Sequence, residues 1–336
     1  MDIRLLEEEE KPLAKALWKQ AFDDTDAFID WYFANKVLPG QSLGIFDREL
    51  VSIVHMVPYT ISVQHRQLPS AFIAGAATDN KRRGQGLMRT LLRESLALMR
   101  DRGILMTHLY PFKHEFYERL GWGTYSYVRK QDITAALHNR QADVFETDDA
   151  SLLMPLYNKM MRRYDGYVVR TAREWKWRME ELAVDGGKAA VLIEDDAAAA
   201  YILYYEKDAV ADVIETVYID EASVGGLLAW LFKKGCKRIK YNLPDDRNGT
   251  GHGMARVVDV HALLEAFGAQ SLLDHASIVD RLAPWNSINA GAVKMPVNDL
   301  ARMVHQGASL FESYLEGSRD LHDIFGLQTT CIFEAY

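Results

Sequence analysis

The run Arg82-Arg83-Gly84-Gln85-Gly86-Leu87-Met88 joins a segment of strand composition, Ala71 to Thr78, to a stretch whose apolar positions, Leu87, Met88, Leu91, Leu92, Leu96 and Met99, fall on one face of a helix. A glycine-bearing turn that opens a helix aims several backbone N–H groups at one point, where the positive end of the helix also lies, and such a point binds phosphates. Gly84 and Gly86 let the backbone come close to a pyrophosphate, and Arg82 and Arg83 add positive charge beside it. No Lys-Ser/Thr follows the glycines, so this is not a Walker loop, and the spacing also departs from the Gly-x-Gly-x-x-Gly of dinucleotide folds. Two glycines before a helix also serve as a plain tight connection. What remains is Arg-x-x-Gly-x-x, Arg83 to Met88, directly after a strand.

The elements around this run form a pattern. Leu13 to Phe22 and Asp26 to Asn35 have helical spacing, with Asp26 at the N-cap or in the first turn of the second helix. Leu43 to Phe46, Val51 to Pro58 and Thr60 to Arg66 predict three strands of an antiparallel meander. After the helix that ends near Arg102-Gly103 come a short strand, Ile104 to Tyr110, then Pro111 and a helix around His114 to Leu120. The order recurs: strand Asp212 to Ile219, helix Leu227 to Lys234, Gly235, strand Arg238 to Leu243 and Pro244, an internal duplication of about a hundred residues. Gly249-Thr250-Gly251-His252-Gly253 is a turn-rich linker to a third, smaller α+β unit. The expected units are 1–136, 137–248 and 249–336.

These residues resemble the GNAT acetyltransferase superfamily, whose coenzyme A loop has the form Gln/Arg-x-x-Gly-x-Gly/Ala. Arg83 and Gly86 match and Met88 departs, while Gly86-Leu87-Met88-Arg89 is similar to the loop of the Eis-like (enhanced intracellular survival) branch. Phe116 to Trp122 resembles the superfamily's closing signature, and Asp165 to Arg170 with Trp175, and Met254 to Val260, resemble the later regions of that branch. The resemblance spans almost the whole chain. It implies a fold of α/β and α+β class: two tandem GNAT-like mixed-sheet domains followed by a small sterol-carrier-protein-like domain. The implied activity is transfer of an acetyl group from acetyl-CoA to a primary amine of a cationic small molecule, aminoglycoside- or polyamine-like, or of a lysine-like acceptor. A longer-chain or protein N-acyltransferase of the N-myristoyltransferase kind, or an idle binding protein of the same fold, are the alternatives.

The resemblance also assigns roles. Ala76, Ala77 and Thr78 belong to the splayed strand that meets the thioester and pantetheine arm, and Arg82, Arg83, Gly84, Gln85, Gly86, Leu87 and Met88 form the coenzyme loop. Tyr117 takes the position of the general acid, and a phenol of pKa about 10 suits a leaving thiolate whose thiol is at about 8.5. The terminal carboxylate of Tyr336, ionised at neutral pH with a pKa of about 3.5, positions the ammonium and relays its proton through water. Asp26, Phe28, Trp31 and Tyr32 lie on a helix that borders the acceptor pocket in this family, although aromatic residues at that spacing also make ordinary core. His114, one helical turn before Tyr117, reads as a solvated helix histidine. At the matching position of the repeat, Ser223-Val224-Gly225-Gly226 has no arginine and follows Asp220 and Glu221, so the second unit is expected to bind no coenzyme and to wall the acceptor site.

The totals set bounds. A chain of 336 residues is long for one core, and its formal charge of -8 argues against nucleic acid as a partner. No apolar run reaches the roughly 18 residues of a membrane span, and the acidic start MDIRLLEEEEK is the wrong sign for a targeting peptide, so a cytoplasmic protein without membrane contact is expected. Cys236 and Cys331 stand apart without metal-ligand spacing, so no metal is expected. The resemblance implies a homo-oligomer, with the hexamer as its precedent.

Overall fold

The structure, a computed structural model, describes residues 1–135, 143–245, 248–314, 319–326, 328 and 330. The first unit contains β1 (Asp2–Leu5), α1 (Lys11–Ala21), α2 (Asp26–Asn35), β2 (Ser42–Asp47), β3 (Glu49–Val63), β4 (Arg66–Thr78), α3 (Leu87–Asp101), β5 (Met106–Leu109), α4 (His114–Glu118) and β6 (Gly123–Thr124). The second contains β7 (Tyr127–Ile133), β8 (Asp143–Thr147), α5 (Ala150–Met161), α6 (Ala172–Val184), β9 (Lys188–Glu194), β10 (Ala197–Lys207), β11 (Val210–Tyr218), α7 (Glu221–Lys234), β12 (Arg238–Asp245) and β13 (Thr250–Gly251). After these come β14 (Met254–Val257), α8 (Val260–Phe267), α9 (Leu272–His275), β15 (Ala276–Val279), β16 (Val293–Pro296), α10 (Val297–Gln306) and α11 (Arg319–Ile324).

Two seven-stranded mixed sheets, in the orders β1-β2-β3-β4-β5-β14-β6 and β13-β7-β12-β11-β10-β9-β8, form tandem GNAT-like folds, and β15 and β16 form a small separate parallel sheet. Each large sheet is antiparallel except at one central pair: β4 with β5, from Ser70↔Met106 to Ile73↔Leu109, and β11 with β12, from Val210↔Arg238 to Val213↔Tyr241. α3 and α7 each follow the first strand of a parallel pair and precede the second, the crossover that such a pair requires. α3 buries the stripe Leu91, Leu92, Leu96 and Met99 in the core that also holds Val54, Met56 and Ile73 of its sheet.

The two sheets exchange strands. β7 follows β6 after only two residues, yet it pairs antiparallel with β12 of the second sheet. β14, inside the segment expected as a third unit, returns to the first sheet and pairs antiparallel with β5, from Met254↔Leu109 to Val257↔Met106. Arg256 of β14 is fully buried, ion-paired with Asp280 beside the small sheet and donating to the carbonyl oxygen of Leu120. Both charges of this pair are removed from water, and Asp280 takes further hydrogen bonds from the N–H groups of Leu282 and Ala283 and from Asn286 Nδ2, as a buried carboxylate requires.

The expected break between Val51–Pro58 and Thr60–Arg66 is absent; β3 is one strand of 15 residues. Pro58 is tolerated because β2 pairs with β3 only as far as Ser42↔His55, so the missing N–H interrupts no ladder on that side. Just beyond Pro58 the edge is taken by the second unit: Val169 N–H donates to Thr60 O at 2.8 Å and Ser62 N–H to Tyr167 O at 2.9 Å. The hairpin then turns through Gln64 and His65, with φ of 47° and 61°, so Arg66 begins β4 instead of ending a strand.

Candidate active site

The phosphate-type loop has the geometry its residues require. Gly84 and Gly86 have φ of 76° and 78°, where a side chain is strained, and Gly86 is the left-handed N-cap of α3. From Gly84 to Met88 no backbone N–H finds a hydrogen-bond acceptor among the described residues. A Cβ built on either glycine meets nothing within 4 Å, so the space in front of these donors is open. Arg83 donates through Nε to Thr78 O at 3.4 Å and has no ion pair among the described residues, which leaves its positive charge for a ligand. Arg82 is different: it pairs with Asp47 at 2.8 Å and bonds Gln85 Oε1 at 3.2 Å, so its charge is partly satisfied within the loop. Unpaired donors, an uncapped 15-residue helix and a free guanidinium fit the diphosphate of a coenzyme A.

This loop lies at one end of a cleft of about 600 Å³ that also takes in Ala76, Ala77, Thr78 and Tyr117. The cleft exists because β4 and β5 part. Their pairing ends at Ile73↔Leu109, and β4 continues through Thr78 with no strand beside it on that side. The register with β3 also shifts: Ile53 faces Ala77 but His55 faces Ala74, so Gly75 and Ala76 together oppose Val54. This is a β-bulge, which bends the strand locally at Ala76, a residue that lines the cleft.

Tyr117, from α4, is buried with 3 % of its surface exposed, and burial pushes its phenol up to about 12. It is held by edge contacts with Phe116 at 5.0 Å and Trp122 at 6.0 Å, and its hydroxyl has no hydrogen-bond partner among the described residues. Beyond it opens a second cleft of about 580 Å³, shared between the two units. Its lining overlaps that of the first cleft at four residues, Phe22, Ala76, Phe112 and Tyr117.

The second cleft carries three carboxylates, Asp24, Glu181 and Asp185, against one arginine, Arg178. Arg178 is engaged at 3.1 Å by the buried Glu215, whose carboxyl lies at about 2 because Arg170 and Arg178 offset its burial. Glu181 accepts from the buried Lys36 at 3.2 Å. Asp24 and Asp185, both exposed, accept from neutral donors, Trp18 Nε1 at 2.7 Å and Thr25 Oγ1 at 2.5 Å, and neither has an ion pair among the described residues. His252 also lines the cleft, packed edge-on to Tyr110 at 4.2 Å, and burial holds its imidazole down at about 4, neutral at pH 7.

Of the residues expected at the acceptor side, only Phe28 reaches this cleft. Asp26 turns outward to Lys19 at 2.5 Å, Trp31 donates to Glu180 at 3.2 Å, and Tyr32 is fully buried against Trp18. The reason is rotational: a helix presents one face to its sheet, and in α2 that face is Ile29, Tyr32 and Phe33. His114 is half-buried, with its Nε2 enclosed and unpartnered near Gly251, so it is not a solvated histidine. Tyr336 lies outside the described residues. Arg178 and Glu181 of α6, and Asp185 at its C-cap, line the cleft although nothing in their sequence spacing marks them out. At the repeat's equivalent of the phosphate loop, Asp220 caps α7 by accepting from Ser223 N–H at 3.0 Å, which places a carboxylate where the first unit keeps open donors.

Residues 2–125 match the acetyltransferase (GNAT) domain family. Among solved structures, the chain is similar over 100 % of its length, and 99 % of the other's, to an Enterococcus faecalis V583 protein described as a "Probable N-Acyltransferase" (TM-score 0.77, 16 % identity). It is similar over the full length of both chains to Eis1 of Mycobacterium abscessus (TM-score 0.68, 17 % identity). A Saccharomyces cerevisiae N-myristoyltransferase with bound myristoyl-CoA matches 76 % of this chain and 79 % of its own (TM-score 0.52, 10 % identity). The sequence has no match among curated proteins. Among the described residues no helix is long and apolar enough to cross a membrane. The open donors at Gly84 to Met88 therefore sit inside a recognised domain, and residues 2–125 are a GNAT acetyltransferase domain within a chain built on the tandem form of that fold.

Proposed function

We propose that this protein is an acetyl-CoA-dependent N-acetyltransferase whose acceptor is a primary amine on a cationic small molecule. The observation that carries this reading is the junction of the two clefts at Ala76 and Tyr117, with an anion cradle at the far end of one and surplus carboxylates in the other. Acyl-coenzyme A supplies a thioester, an activated carbonyl that a neutral amine can attack. Gly84 to Met88 and Arg83 hold the diphosphate, and the parted strand from Ala76 to Thr78 offers backbone groups along the arm. Tyr117 keeps a proton on Oη where the clefts meet, which suits it to serve a departing thiolate as general acid. Asp24 and Asp185 attract and orient the ammonium group.

The terminal carboxylate of Tyr336 is assigned the positioning of the ammonium and the relay of its proton through water. In support, the chain six residues earlier is fixed: Thr330 Oγ1 donates to Tyr125 O at 2.5 Å and its backbone bridges Asp165. The capped start of α7 supports a second unit that serves only as a wall. The C-terminal segment is read as sterol-carrier-protein-like and the assembly as a homo-oligomer. Phe22, Phe112 and Phe116 around the junction favour a second reading, a longer acyl chain.

Thiol release from acetyl-, butyryl- and myristoyl-CoA with a panel of mono-, di- and polyamines tests the proposal. Amine-dependent release that is fastest with acetyl-CoA and a polycation is expected. Release no faster with any amine than with water would overturn it.

A further inference from the structure

A third cavity, of about 400 Å³, opens on the far side of the turn that carries Tyr117. It lies between the first unit, through Glu118, Arg119 and Gly121, and the small sheet with the start of α10, through Arg281, Lys294 and Pro296. None of its residues lines either of the other two clefts.

Its charge is unusual for this chain. Arg119, Arg281 and Lys294 converge on it with a single carboxylate, Glu118, although the protein as a whole carries a net charge of -8. Elsewhere this surface pairs its cations readily, as in Arg238–Asp132 and Lys15–Asp30. None of the three has an ion pair among the described residues, and all three are exposed. Like charges gathered around one opening repel one another over about a Debye length of 8 Å, and an anion is the species that relieves this. The wall formed by Pro296, Val297 and Asn298 is also the first turn of the ten-residue α10, whose proline N-cap supplies no side-chain cap. The one acid of that turn, Asp299, bonds instead to Arg302 and to the Tyr314 hydroxyl.

We propose that this cavity is a binding site for a small polyanion, recognised through phosphate or carboxylate oxygens and separate from the coenzyme cleft. Arg119 and Arg281 offer forked donors and Lys294 a mobile point charge, a combination suited to an oxyanion with several charged oxygens. The site backs onto the turn in which Leu120 and Trp122 both donate to Tyr117 O, at 2.9 Å and 3.1 Å. An anion held there braces the segment that carries Tyr117 from behind.

The test titrates pyrophosphate and citrate separately into the full chain by calorimetry. The Arg83→Glu variant removes the competing coenzyme loop, so the result does not depend on what that loop binds. In this variant at least one of the two anions is expected to bind, with the tighter one identifying the oxygen type. Adding Lys294→Glu, or Arg119→Ala with Arg281→Ala, should weaken that binding at least tenfold while the melting temperature in plain buffer stays within about 2 °C. Lys294→Glu alone changes a single exposed side chain and keeps the test usable if the double change disturbs folding. Binding of neither anion to Arg83→Glu, or equal binding after the cavity's charges are removed, overturns the site.

Discussion

A Cβ on Gly75 would lie 2.3 Å from Cζ3 of Trp18, so the indole occupies the place where any other residue would keep its side chain. Trp18 is itself fixed, donating to Asp24 at 2.7 Å and packed on Tyr32 at 4.6 Å. The bulge at Gly75 and Ala76 is thus clamped from behind by α1, and Asp24, which lines the second cleft, helps to set the clamp.

Gly75→Ala should destabilise the protein by about 2–4 kcal/mol, combining a left-handed φ with overpacking against a fixed ring. Gly84→Ala has the same sign of φ but open space, and about 1 kcal/mol is expected. Denaturant unfolding of the two variants checks the contrast. Equal losses would mean that Trp18 yields.

Arg83→Glu should raise the dissociation constant for acetyl-CoA at least tenfold by calorimetry. Arg82→Glu should have the smaller effect, because Asp47 already holds that guanidinium at 2.8 Å. The reverse order would relocate the diphosphate.

Tyr117→Phe should lower kcat about 10²–10⁴-fold, the usual loss on removing a general acid, and leave acetyl-CoA affinity within twofold. With its phenol pushed up to about 12, Tyr117 remains protonated throughout the usable range. No decline of kcat with rising pH below about 11 should therefore trace to this residue, and pH–rate curves of wild type and variant should run parallel there.

Acid should weaken the fold early. Burial holds His55 down at about 3 and His252 at about 4, so between there and the unfolded value of 6.5 the unfolded chain binds more protons than the folded one. Stability from these two groups is fully present above pH 6.5 and falls as pH drops, by on the order of 3 kcal/mol at pH 5.5. Below 4.5 the salt-bridged Glu215, lowered to about 2, adds a further loss as pH falls toward that value. Melting curves from pH 8 to 5 should show a falling transition below 6.5, and a flat profile would place these imidazoles in water.

The loop was legible because everything it needs is local: two glycines with positive φ, an arginine and a helix stripe within twenty residues. The same holds for α2, whose limits, Asp26 to Asn35, match the sequence reading, with Thr25 as the cap. The bulge was hidden because Ala74-Gly75-Ala76 looks like an ordinary run of small residues; only the position of Trp18, 57 residues away in the sequence, gives the glycine its purpose. The wall supplied by α6 was hidden for a related reason. Glu181 and Asp185 come to line one cleft with Asp24 only through the fold. Local periodicity also misjudged β3, since the tolerance of Pro58 depends on where the neighbouring strand stops.

The exchange of β7 and β14 sets the order in which this protein can mature on the ribosome. β5, paired with β4 on one side, lacks its second neighbour until Val257 has been synthesised, roughly 150 residues after β5 itself ends at Leu109. At about 5–20 residues per second, an open strand edge waits for some 7 to 30 s, the kind of interval in which nascent chains recruit chaperones.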